Sequence, residues 1–283
     1  HVSDQEHGSW CLDLDPCQTA VRLFTSGSTG TPKAVHKSTA NLFEEAQALL
    51  ASHPWPRSPI IGSVAPQHMY GLTFTVFLPW VAEVPWVDET PRFPQDLRDA
   101  LVATGAGTLI SVPAHYRALL EDDIDLSGIR CVSAAAALPE ETAVAWSTRH
   151  GSAILEIYGS TETGVIAHRG LQRSQHWRPF SNVSLSETGG LLKVASPYVG
   201  DGCPISGVET ADRVVLHADQ SFELLGRADS IIKVAGRRVS LAAVEKNLHS
   251  FPGVAEATAI AVPTPGRVRD QAIWAVVAGS WQV

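Results

Sequence analysis

Two stretches of this chain bring together side chains suited to holding a charged ligand. The first is Leu23-Phe24-Thr25-Ser26-Gly27-Ser28-Thr29-Gly30-Thr31-Pro32-Lys33. A short apolar lead-in runs into glycines, hydroxyls and one cation. Gly27 and Gly30 let backbone N–H groups come close to anionic oxygens. Thr25, Ser26, Ser28 and Thr29 add hydroxyl donors, and Lys33 adds a charge. That combination is what a phosphate cradle requires. It differs from the GxxxxGK[ST] loop, because Thr31 and Pro32 separate Gly30 from Lys33. The second stretch is Ile157-Tyr158-Gly159-Ser160-Thr161-Glu162-Thr163-Gly164. It falls at the C-terminal end of an expected strand, the edge at which open parallel sheets bind ligands. Taken alone, Glu162 reads as a solvated loop acid.

The elements that must position these residues follow from the pattern around them. Ile60–Ala65, Thr108–Val112, Ile129–Ser133 and Ala153–Tyr158 are short apolar runs expected to be strands. Between them, Asp96–Thr104 and Pro139–His150 read as helices, and Pro113 suits the first turn of another. Strands alternating with helices imply an α/β fold, a mainly parallel sheet covered by helices. From about 181 to 226 the runs shorten, with turn residues such as Gly189-Gly190 and Asp219 between them. This predicts a small antiparallel, β-barrel-like unit. After Gly226, Ile231–Val234 and Arg238–Ser240 flank a hairpin, and Ser240 is placed to cap a helix bearing Leu241, Val244 and Leu248. Val254–Val262 and Ala272–Ala278 add two strands, so a small α+β domain begins there.

Composition narrows the function classes. The net charge is −8 and no long basic run occurs, which argues against a nucleic-acid backbone as partner. No apolar run is long enough for a membrane span. Cys11, Cys17, Cys131 and Cys203 form no CxxC pair and read as free thiols of a cytoplasmic protein.

The string TSGSTGTPK resembles the signature loop of the adenylate-forming superfamily: acyl-CoA and aryl-CoA synthetases, nonribosomal-peptide adenylation domains and firefly-type luciferases. Ala34 stands where that family usually has glycine. Residues Ile157–Gly164 resemble the family's YGxTE segment, and Ser133–Pro139 occupies the place of its SGGAPL-like turn. Gln67-His68-Met69-Tyr70-Gly71 is similar to its substrate-pocket segment, and Glu209–Arg213 to its TGD, with Ala211 for glycine. Gly226-Arg227-Ala228-Asp229 resembles the GRxD string that closes the large domain. A finer likeness, carried by Ala34 to Lys37 and Gln67 to Leu72, is to the synthetase-like proteins of aryl-polyene and xanthomonadin clusters.

The resemblance implies roles. Thr25, Ser26, Gly27, Ser28, Thr29, Gly30 and Lys33 would close over the ATP phosphates. Tyr158, Gly159 and Ala135 would border adenine, Thr161 would meet the α-phosphate, and Glu162 would hold Mg²⁺. A hard divalent cation suits a carboxylate beside phosphate oxygens. His68, with Tyr70 and Gly71, would line the acid pocket; a lone histidine is otherwise usually structural. Asp212 would accept from the ribose hydroxyls, Arg227 would contact ribose or phosphate, and Asp229 would be the hinge.

The implied reaction activates a small carboxylic acid to acyl-AMP and transfers it to a thiol, either CoA or the phosphopantetheine of an acyl carrier protein. An adenylation protein that loads a carrier, or an inactive nucleotide-binding scaffold or sensor, are the alternatives. The family's catalytic lysine has no counterpart among Lys33, Lys37, Lys193, Lys233 and Lys246. The expectation is therefore an AMP-binding domain over 1–228 without its leading part, then an incomplete small domain over 229–283.

Overall fold

Strands Thr108–Ser111 and Arg130–Ser133 show how the sheet forms. Every residue of the first and three of four in the second are buried, as expected for parallel strands covered on both faces. A computed structural model describes residues 14–26, 32–170, 174–200, 207–228, 231–234, 237–263 and 271–279. Gly27, Ser28, Thr29, Gly30 and Asp229 lie outside these, as does the side chain of Ser26.

The chain divides into two units: His1–Leu185 with Val194–Val208, and Ser186–Lys193 with Glu209–Val283. The boundary expected at 228/229 falls within the second.

The first unit opens with an antiparallel ribbon, β1 (Thr19–Ser26) and β2 (Pro32–Ser38). Alternation sets its faces: Leu23, Val35 and Lys37 are buried while Arg22, Phe24 and Ala34 are exposed. Helix α1 (Thr39–Ser52) starts at a capping box, Ser38 Oγ accepting from Asn41 N at 3.2 Å and Asn41 Oδ1 from Ser38 N at 2.9 Å. Next come β3 (Ile60–Gly62), α2 (Met69–Leu72), a π-helical turn (Thr73–Phe77), α3 (Leu78–Ala82) and α4 (Pro94–Thr104). The alternation continues through β4 (Thr108–Ser111), α5 (Pro113–Glu121), β5 (Arg130–Ser133), α6 (Glu140–His150) and β6 (Leu155–Ser160). Proline at the first turn of α4 and α5, and left-handed glycines after α4 (Gly105) and α6 (Gly151), punctuate these helices.

The sheet runs β3-β4-β5-β6 in parallel, then continues through β7 (Gly164–Arg169) and β8 (Arg178–Pro179), both antiparallel to their neighbours. Two departures from the sequence reading matter. Strand β3 stops at Gly62 rather than Ala65, because the chain turns there, with His68 N donating to Ala65 O at 3.2 Å. The expected strand ending at Tyr158 runs on to Ser160 and folds back as β7, so Glu162 sits in a hairpin turn.

Two apolar clusters hold this unit. One joins β4 and β5 to α4, α5 and α6 through Leu97, Leu109, Tyr116, Leu119, Cys131 and Trp146. The other joins β1 and α1 to the helical run 69–82 through Leu23, Leu42, Ala46, Met69 and Phe77.

Strands β9 (Ser184–Thr188), β10 (Leu191–Ala195), β11 (Val208–Leu216) and β12 (Phe222–Arg227) form a sheet in the order β12-β11-β10-β9. An antiparallel hairpin follows, β13 (Ile231–Val234) with β14 (Arg237–Ser240). Ser240 caps α7 (Leu241–His249), its Oγ accepting from Ala243 N at 3.2 Å. The long antiparallel pair β15 (Val254–Pro263) and β16 (Gln271–Gly279) completes the described chain. Among the described residues, no helix is long and apolar enough to cross a membrane.

Candidate functional site

The turn between β6 and β7 is set by short polar bonds. Thr163 Oγ1 accepts from Ser160 N at 3.2 Å, and Ser160 Oγ accepts from Thr163 N at 3.2 Å. The two hydroxyls are 3.0 Å apart. This reciprocal pinning buries Thr163 and leaves Thr161 and Glu162 half-buried at the tip. Glycine is required on both flanks. A Cβ on Gly159 would stand 2.4 Å from Gly164 O, and Gly164 has φ +69°.

The ribbon β1–β2 comes to this turn. Thr25 pairs with Lys33 and Ser26 with Pro32. Thr25 Oγ1 lies 3.5 Å from Glu162 Oε1 and 3.5 Å from Lys33 O, contacts at the outer limit of a hydrogen bond. The hydroxyl-rich stretch and the Glu162 turn, 137 positions apart, thus meet.

The backbone of Glu162 is held from behind. Its carbonyl accepts from Gly200 N at 2.9 Å and from the Lys37 ammonium at 3.1 Å. Lys37 has no exposed surface and also donates to Tyr198 O. On the far side of the turn, Glu45 Oε1 accepts from Val165 N at 2.8 Å. Burial pushes the Glu45 carboxyl up to about 7, against the opposing pull of the Lys37 charge and the Val165 bond. Burial and the nearby Glu45 push the Tyr198 hydroxyl up to about 12.

A second buried carboxylate organises the neighbouring loop. Glu156 Oε1 accepts from Leu138 N at 2.9 Å, and Oε2 pairs with Arg169 Nε at 2.6 Å. Arg169 lies over the Trp177 ring at 4.3 Å, and Trp177 packs on Tyr158 at 5.4 Å. Leu138 N is thereby tied to β6, the strand that also carries Tyr158. Ala135 there is exposed and has φ +71°, a left-handed conformation that favours glycine.

The remaining residues expected at a site are spread as follows. His68 is exposed and precedes α2 without a side-chain cap bond. The Tyr70 hydroxyl donates toward Ser111 O at 2.9 Å and Val132 O at 3.0 Å, across the ends of β4 and β5. Burial holds its pKa well above the usual phenol range. Gly71 permits a close crossing, since a Cβ there would lie 2.1 Å from Ala65 O. In the second unit, Asp212 and Arg227 are register partners on β11 and β12, with Asp212 Oδ1 3.6 Å from Arg227 Nη1.

Lys37, Glu45, Glu156 and Gly200 were not singled out from sequence, yet two carried a signal. Lys37 shares the alternation of buried Leu23 and Val35 across the ribbon. Glu45 falls within the apolar stripe Leu42, Ala46, Leu49 of α1. A charged residue at an inward position marks a buried polar partner.

Chemically, the Glu162 turn offers a half-buried carboxylate beside a hydroxyl. Among the described residues no cation pairs with that carboxylate, so its donor set fits a hard divalent metal. Thr25 of the ribbon and the Glu162 turn thus come together at the C-terminal end of β6, in an α/β fold with a mainly parallel sheet.

Residues 4–209 match the family model described as AMP-binding enzyme, and the chain belongs to that family, within the adenylate-forming superfamily. It is 34% identical to a 4-coumarate--CoA ligase of Halorhodospira halophila over 86% of this chain and 60% of that protein. It is 31% identical to the enzyme of that name from Rhodobacter capsulatus, over 84% and 59%. Among solved structures, ATP-bound MatB from Rhodopseudomonas palustris superposes with a TM-score of 0.79 at 22% identity, covering 95% of this chain and 59% of that one. MenE from Bacillus subtilis in complex with ATP and magnesium ion gives 0.81 at 20% identity, covering 95% and 62%. The fold is thus that of adenylate-forming enzymes. The chain spans about three fifths of the length of these relatives.

Proposed function

We propose that the protein carrying this chain is an ATP-dependent acid–thiol ligase. The observation that carries this reading is the meeting of Thr25 with Glu162, which joins the hydroxyl- and glycine-rich stretch to the carboxylate turn. Membership of the AMP-binding family and likeness to CoA ligases support it.

In this reading residues Thr25 to Lys33 wrap the β- and γ-phosphates, and Thr161 meets the α-phosphate. Glu162 would hold Mg²⁺, which when bound would supply neutralisation of phosphate charge. Tyr158, Gly159 and Ala135 border adenine, Asp212 accepts from the ribose hydroxyls, and Arg227 contacts the ribose or a phosphate. His68, exposed before α2, guards the acid pocket with Tyr70 and Gly71. An oxygen of the substrate carboxylate attacks the α-phosphorus, the bond to the β-phosphate oxygen breaks, and pyrophosphate leaves with the electron pair. A thiolate then attacks the acyl carbon and AMP departs. CoA is the acceptor favoured by the names of the relatives, and a carrier-protein phosphopantetheine is the other acceptor to test. Positioning and charge stabilisation do most of the work, with closure about Asp229 between the half-reactions.

The test is ATP–pyrophosphate exchange with a panel of aryl and fatty acids. Exchange that requires both Mg²⁺ and an acid supports the reading. Exchange absent with every acid, in protein that binds ATP, sinks it in favour of a nucleotide-binding scaffold.

A further inference from the structure

We propose that Lys37 is a positioning residue that sets the metal affinity of Glu162 through its main chain; this rests on the role just given to Glu162. Lys37 reaches this turn from the inward face of β2, and its ammonium lies 3.1 Å from Glu162 O. It has no exposed surface, and it also donates to a second carbonyl, Tyr198 O. A buried ammonium is costly unless carbonyls or carboxylates surround it. Satisfying that requirement fixes the carbonyl of one particular residue of the turn.

The grip is two-sided. Gly200 N donates to the same Glu162 carbonyl at 2.9 Å, and a Cβ on Gly200 would stand 2.8 Å from His36 O. Glu45 takes Val165 N at 2.8 Å on the other arm of the hairpin, and its charge is opposed by that of Lys37. With the peptide held on both arms, the carboxylate of Glu162 has only its own side-chain rotations left. A metal ligand so restrained binds with less ordering cost, and groups that orient ligands from behind typically govern about 10–100-fold in metal affinity.

Two variants separate positioning from stability. Lys37→Met removes the ammonium and keeps most of the apolar stem. Lys37→Met with Glu45→Gln also removes the opposing buried charge and keeps an oxygen for Val165 N. ATP binding is followed by titration calorimetry with and without Mg²⁺, alongside thermal unfolding and the Mg²⁺ dependence of exchange. Expected for both variants is a rise of about tenfold in the Mg²⁺ concentration giving half-maximal effect. ATP affinity without Mg²⁺, and the KM for the acid, should move less than about threefold. The double variant should regain much of the thermal stability lost by Lys37→Met without regaining Mg²⁺ affinity. Mg²⁺ affinity that stays at the wild-type value in Lys37→Met, or returns with stability in the double variant, overturns the proposal. If Lys37→Met fails to fold, the double variant decides. Wild-type protein whose ATP binding ignores Mg²⁺ instead refutes the ligase reading beneath it.

Discussion

The Glu162 turn and the Asp212–Arg227 strand pair present carboxylates in opposite settings. Glu162 has a backbone carbonyl gripped by buried Lys37 and by Gly200, a neighbouring arm bonded to buried Glu45, and Ser160 and Thr163 locked to each other. Asp212 and Arg227 meet at 3.6 Å, with the Arg227 side chain 55% exposed. Lys37, Glu45 and Gly200, which hold the first from behind, are buried, so the backbone of that turn is set before any ligand arrives. In the second, the Arg227 end is open to water while the Asp212 side chain is only 16% exposed. The difference teaches that two acidic motifs of similar sequence appearance can differ mainly in what lies behind them.

The largest expected effect is on chemistry. Glu162→Gln should lower Mg²⁺-dependent exchange about 100-fold, ~3 kcal/mol of transition-state stabilisation, with little change in thermal midpoint. A variant with unaltered Mg²⁺ dependence would erase the contrast between the two regions.

Next comes the backbone of the turn. Gly164 has φ +69°, and a Cβ would sit 2.9 Å from Tyr198 Cβ and 3.1 Å from the Glu45 carboxyl carbon. Gly164→Ala should destabilise the fold by about 3 kcal/mol, from left-handed strain plus overpacking. Chemical denaturation measures it, and a loss under about 1 kcal/mol would mean the turn is looser than its bonds suggest.

The pH dependence follows from Glu45, whose folded value of about 7 lies above the ordinary 4.5. The folded state therefore holds more protons than the unfolded one across that interval. Stability from this group is greatest below about pH 4.5 and falls as pH rises through about 7, by up to ~3 kcal/mol. Glu45→Gln should flatten that slope in melts taken across the interval; an unchanged slope assigns it to other groups.

The smallest effect belongs to the second region. Arg227→Ala should cost under about 1 kcal/mol of stability, because an ion pair this exposed is screened by water. A larger loss would show that β11–β12 is held as firmly as the Glu162 turn, closing the gap between the two.

Much of the architecture was legible from periodicity. The four parallel strands and helices α4, α5 and α6 fell within a few residues of expectation, because apolar runs of strand length alternated with helical patterns; α2, the π-helical turn and α3 were not expected. The Ser240 cap and the pairing of β13 with β14 followed from local chemistry that needs no distant partner. Strand β7 escaped notice because Gly164–Arg169 mixes glycine, histidine and arginine with apolar residues, and its pairing with β6 is a tertiary fact. Glu156 was equally hidden, since its partners Leu138 and Arg169 are chosen by folding.

The sequence by itself determined which groups are available: a stretch of hydroxyls and glycines, a carboxylate flanked by glycines, and an alternation that builds a parallel sheet. These are local properties of composition and period. Only the tertiary structure decided that Thr25 reaches Glu162 and that Lys37 and Glu45 stand behind it. Contacts across more than 100 positions depend on which faces are buried together, and burial is a property of the whole packed core rather than of any segment.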